Sequence, residues 1–192
     1  MFKILIASVL LGLTLDASSF KNSLIEEYLQ KGKKEFGIQR FNSEYVLLEN
    51  SHAYKKAKEM ESQGFKEQGA KTNLKFYRDI LPVLLESGNE TGSALPSYIA
   101  LEIGQHIWLM KNKVLNEKYL ADASRALYEK RFCSGYLYGA QILWQENKQD
   151  KAIGLLSEGS KNCKNAYRKM LIKKKLMLYK YKQGIYKNKK EK

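Results

Sequence analysis

The chain has 192 residues, 44% of them apolar and 28% charged, and its 34 Lys and Arg against 20 Asp and Glu give a net charge of +14. That apolar content in one domain's length of chain excludes general disorder, and two prolines with almost no alternation of β-branched residues exclude a sheet-built fold. The basic surplus is local: from Lys161 to Lys192 thirteen Lys and Arg face a single acid, Glu191, which leaves the rest of the chain nearly neutral.

Met1-Phe2-Lys3 is a short cationic start, Ile4 to Leu15 an apolar run, and Asp16-Ala17-Ser18-Ser19 a small and polar stretch. Charged, apolar and small-residue regions in that order form a secretory signal. The expectation is a signal peptide over 1–17, cut after Ala17, and a mature protein that is periplasmic or secreted. The apolar run is too short to span a bilayer, which takes about 20 residues. No Cys stands near the cut to carry a lipid anchor.

An N-terminal helical region is expected over 18–93. Asn22-Ser23 caps a first helix that ends at Gly37, with Leu24, Tyr28, Leu29 and Phe36 on its apolar face. Asn42-Ser43 is expected to cap a second helix reaching about Ser62, before Gly64, and a third runs from about Phe65 to Ser87. Pro82 should kink or split that helix. Gly88 to Ser93 reads as a loop. Helical hairpins follow over 94–166: Pro96 in the first turn of a helix to Lys111, then Val114–Lys130, Cys133–Glu146 and Gln149–Cys163. A basic helix and tail occupy 167–192, the helix starting near Asn165 and reaching about Gln183. The fold class is all-α, built of antiparallel hairpins with short connections.

Cys133 and Cys163 each lie fifteen residues from Lys148, in the turn between two helices. Residues equidistant from a turn lie side by side in an antiparallel hairpin, so a disulfide is expected to close its open end. Two Cys and two distant His offer no spacing for a metal, and no cofactor motif is present.

The segment from Cys133 to Ala166 resembles one tetratricopeptide or Sel1-like unit. Tyr136 is followed by the small pair Gly139-Ala140 and by Leu143; Ala152, Leu156 and Gly159 repeat a small, large, small order in the second helix. The turn lacks Gly-Asp, and Lys164 stands where the group closes with Pro. Tyr98 to Arg131 is a degraded copy, with Gly104, His106, Trp108 and Asn112 echoing the later unit. The resemblance implies a stack of hairpins whose surface binds a protein or peptide, with His106, Trp108, Tyr138 and Trp144 as candidate groove residues. The expected function is a binding scaffold in the cell envelope.

His52 and His106 are the two histidines, and neither has a nucleophile or orienting acid placed beside it by the sequence. The enzyme alternative rests on Glu86-Ser87, which resembles the catalytic Glu-Ser of lytic transglycosylases, although the Gly-Leu-Met-Gln stretch of that family is missing. In the tail helix, Tyr167, Leu171, Leu178, Tyr181 and Ile185 form one apolar face. Arg168, Lys169, Lys173, Lys174, Lys175, Lys180 and Lys182 surround it as candidate contacts to a polyanion or membrane surface. An exported protein is not expected to meet nucleic acid.

Overall fold

The computed structural model describes residues 23–68, 76–111 and 118–190, with the backbone alone at 68, 107–111, 118 and 185–190. The expected signal, 1–17, lies outside the described residues. Nine α-helices occupy nearly all of what is described: α1 Leu24–Phe36, α2 Ile38–Glu49, α3 His52–Gln68, α4 Tyr77–Thr91, α5 Leu95–Lys111, α6 Lys118–Glu129, α7 Cys133–Gln145, α8 Gln149–Asn162 and α9 Ala166–Lys190. The all-α expectation holds.

The second half follows its local signals closely. Pro96 lies in the first turn of α5, and α7 and α8 fall within one residue of the expected bounds. Asn165 caps α9, its Oδ1 accepting from the Arg168 amide at 3.0 Å. Helices α6 and α7 end in the same way. Arg131 and Asn147 take left-handed conformations, φ 62° and 60°, and the amides of Phe132 and Lys148 reach back to the carbonyls of Leu127 and Leu143. With the Arg131 amide bonded to Tyr128 O and the Asn147 amide to Trp144 O, each end is a Schellman termination with a non-glycine residue in the left-handed position.

The first half departs from expectation. Ser23 caps α1, its Oγ accepting from Glu26 N at 3.0 Å. Asn42 and Ser43, however, lie inside α2, and the break comes at Asn50-Ser51, where Ser51 Oγ accepts from Tyr54 N at 3.0 Å. Gly64 does not end a helix. It sits within α3 under the Phe76 ring, where a Cβ would come within 2.6 Å of the ring. Pro82 neither ends nor splits α4, which runs through it to Thr91. In the second turn of a helix its ring denies a donor to one carbonyl only, that of Arg78. The expected loop from Gly88 shrinks to Gly92-Ser93, because Gly92 takes φ 71° and its amide bonds Gly88 O at 2.8 Å.

Acidic side chains from other helices satisfy the orphan amides at four helix starts. Glu61 of α3 accepts from Ile25 N at 3.1 Å and from the Ser23 and Tyr77 hydroxyls. Glu90 of α4 accepts from Ala53 N at 3.3 Å, Glu44 of α2 from Ala94 N at 2.6 Å, and Glu35 of α1 from Ser134 N at 2.9 Å. Each carboxylate meets the partial positive charge of a helix N-terminus and locks two helices together.

Consecutive helices from α5 to α9 pack on one another, while α1 packs chiefly on α5. The apolar interior forms two clusters. One, around Leu29, Tyr77, Leu84, Tyr98 and Ile99, is shared by α1–α6 and takes in Phe132, just before α7, and Tyr138 of α7. The other, around Tyr136, Ala140, Ala152, Leu156 and Ile172, lies among α7–α9. Gly159 lets α8 press onto Tyr136, where a Cβ would come within 2.6 Å. The disulfide is formed: Cys133 and Cys163 are bonded with Cα atoms 5.0 Å apart.

Candidate functional site: a cationic cleft at the disulfide end

Three turns converge beside the disulfide. Gly37, at φ 76°, bends the chain between α1 and α2 with no further linker. The α6–α7 turn carries Lys130, Arg131 and Phe132, and the α8–α9 turn carries Lys164 and Asn165. Between them opens a cleft of about 390 Å³, within the range of ligand pockets.

Its floor is aromatic. Phe36 and Phe132 are buried, with ring centroids 4.2 Å apart, and Cys133 adjoins them. Its rim is cationic: Arg40, Lys130, Arg131 and Lys164 line it. The Arg40 guanidinium lies 4.2 Å over the Phe132 ring, and Lys130 Nζ donates to Gly92 O at 2.9 Å. Arg131 and Lys164 form no ion pair among the described residues. Asn162 and Asn165 add polar groups to the wall.

The one carboxylate lining the cleft is already committed. Glu35 accepts from Ser134 N, and its other oxygen lies 3.5 Å from Arg168 Nε. Arg168 also donates to Glu102 Oε1 at 2.8 Å and to the Tyr138 hydroxyl at 3.5 Å. Four cations thus line the opening, Arg40 among them also 3.6 Å from Glu44, and the one described acid in the lining, Glu35, is neutralised from behind. Such a rim over an aromatic floor suits a ligand with both anionic and apolar parts. Arg131 holds a backbone conformation unusual for any residue but glycine, and strain of this kind clusters at functional sites.

The residues expected to line a groove are not brought together as one. Tyr138 is buried and faces Arg168, and burial pushes its hydroxyl well above the ordinary value. With Gly104, Gln105 and Gln141 it lines a cavity of only about 30 Å³, room for a water. His106 is half-buried, its Nδ1 2.8 Å from the Tyr28 hydroxyl, and burial lowers its pKa. Trp144 stacks on Tyr179 with centroids 4.0 Å apart. The Trp108 side chain lies outside the described residues. Tyr138 and Trp144 therefore serve packing on different faces of α7, Tyr138 against the cluster shared with α1–α6 and Trp144 against Tyr179 of α9. Glu86 is exposed on α4 and lines neither cavity, while Ser87 is buried and donates to Leu84 O of its own helix.

Two members of the expected basic face are turned inward. Arg168 is spent on Glu35 and Glu102, and Lys175 donates to Gln141 Oε1 at 2.7 Å, with burial pushing its ammonium down to about 8. Lys169 is half-buried and reaches Lys161 O at 3.5 Å. Lys173, Lys174, Lys180 and Lys182 are exposed.

Sequence reasoning missed the cleft because its residues come from three distant stretches. One local signal was present: Arg131 stands just past a helix end, where glycine is the usual residue. Comparison with protein families, curated proteins and solved structures returns no match for this chain.

Proposed function

We propose that this protein is an exported helical scaffold that holds an acidic, partly apolar segment of an envelope protein or peptide in the cleft at its disulfide end. The cleft carries the proposal: four cations on an aromatic floor, with the only carboxylate already paired. The signal-like N-terminus and a disulfide, a bond that persists in oxidising compartments, support export. The resemblance of Cys133–Ala166 to a tetratricopeptide or Sel1-like unit supports a recognition role.

The test is fluorescence anisotropy with the disulfide-intact protein and labelled peptides in which Phe alternates with Glu or with Lys. Acidic peptides should bind and basic ones should not. Lys164→Glu should weaken binding by roughly tenfold, in line with like-charge juxtaposition in a partly desolvated site. Equal binding of both peptide classes, or acidic binding unmoved by Lys164→Glu, overturns the proposal.

A further inference from the structure

The helix α9 buries the poorer of its two faces. Toward α7 and α8 it presents Arg168, Ile172, Lys175, Leu176 and Tyr179, of which two are charged. Of the expected apolar face, Tyr167, Leu178 and Tyr181 are turned to solvent and Leu171 is half-buried, while Met170 and Met177 join the exposed three. Tyr167 is 65% exposed, Met170 42%, Met177 72%, Leu178 45% and Tyr181 69%. At about 100° and 1.5 Å per residue, these five fall in an arc of roughly 100° along about 21 Å of helix. That is an apolar stripe interrupted once, at Lys174, and stripes of this extent mark contact surfaces.

Cations frame the stripe. Lys174 lies within it, Lys173 and Lys180 border one side, and Lys182 borders the other; all four are exposed. No acid occurs between Lys161 and Lys190. A second copy docked stripe to stripe would set lysine against lysine with no counter-charge, so the surface is not built for self-pairing. A protein groove would need matching depressions for two Tyr and two Met. A fluid anionic bilayer supplies both an apolar layer and a sheet of negative charge, and it moulds to the stripe. Lysines at its edges can extend their charged ends to the headgroups, and tyrosine favours the same depth. No described helix is long and apolar enough to cross a membrane.

We infer that the outer face of α9 is a docking surface for an anionic lipid bilayer, on which the helix lies parallel to the membrane plane with Tyr167, Met170, Met177, Leu178 and Tyr181 seated among the headgroups. This inference does not depend on the cleft.

Co-sedimentation of the disulfide-intact mature protein, residues 18–192, with phosphatidylcholine vesicles, with or without phosphatidylglycerol, tests it. Binding should require phosphatidylglycerol and fall as salt rises. Lys174→Glu should weaken binding by at least about fivefold, the effect of one surface charge. The exposed pair change Met177→Ser with Leu178→Ser should weaken it by about tenfold or more while leaving the circular dichroism unchanged. Lys164→Glu, in the cleft, should leave vesicle binding intact. Four results overturn the inference: equal binding to neutral vesicles, binding insensitive to the Met177 and Leu178 changes, poly-glutamate bound as tightly as vesicles, or concentration-dependent dimers in place of vesicle binding.

Discussion

Removing the Arg168 side chain, as in Arg168→Met, should be among the most damaging single changes on the surface of α9. The guanidinium joins three helices: Glu35 on α1 at 3.5 Å, Glu102 on α5 at 2.8 Å, and Tyr138 on α7 at 3.5 Å. The Glu35 side chain is 2% exposed and that of Glu102 12%, so both would lose their counter-charge with almost no water to replace it. Breaking a buried ion pair from one side costs about 3–5 kcal/mol. Glu35 keeps its bond from Ser134 N, which places the expected loss near the lower end, about 3 kcal/mol. For a chain of this size that is a fall of roughly 10 °C in Tm. Arg168→Lys keeps the charge but not the planar fork, so it should recover only part of the loss. Urea and thermal unfolding followed by circular dichroism, with the disulfide intact in every variant, supply the comparison. Arg168→Met within about 0.5 kcal/mol of the parent, the range of ordinary surface changes, would refute the assignment of Arg168 as a buried clamp.

Three further outcomes follow from single contacts. Replacing both Cys133 and Cys163 with Ser opens a loop spanning 30 residues and should cost about 3–4 kcal/mol by equilibrium unfolding, the chain-entropy value for that length; the parent should show no free thiol on alkylation. The Lys175 ammonium, pushed by burial from 10.5 down to about 8, binds its proton less tightly in the folded chain than in the unfolded one. Stability should therefore rise between pH 8 and 10.5, and Lys175→Met should stabilise by about 2 kcal/mol at pH 7, once the lost bond to Gln141 is counted, with the gain shrinking between pH 8 and 10.5. A Lys175→Met protein less stable than the parent at pH 7 would contradict this. The helix glycines should split by environment: Gly135→Ala places a Cβ 2.4 Å from Tyr128 N, which cannot move aside, and should cost about 1–3 kcal/mol. Gly154→Ala meets nothing within 4 Å and should gain about 0.5–1 kcal/mol, and matched melting curves would show whether the signs differ.

The amino-acid sequence by itself determined what depends on short-range geometry. Apolar spacing and turn residues set α7 and α8 to within a residue, and the two Cys equidistant from Lys148 defined the crosslink. These features rest on helix periodicity and chain connectivity within about thirty residues. Where a signal was ambiguous, packing decided. Gly64 looked like a helix end but serves the approach of Phe76, and Asn42-Ser43 looked like a cap but lies within α2. The face that α9 buries was decided only in three dimensions. Arg168 meets the buried carboxylates Glu35 and Glu102 on the packed face, and Tyr167, Met177 and Tyr181 stand on the other, exposed face. The cleft has the same origin. Arg40, Arg131 and Lys164 stand far apart in the chain, and only the convergence of the Gly37 bend with two later turns sets them around Phe36 and Phe132. Charge pairing and turn convergence act across the whole fold, beyond the reach of any local periodicity.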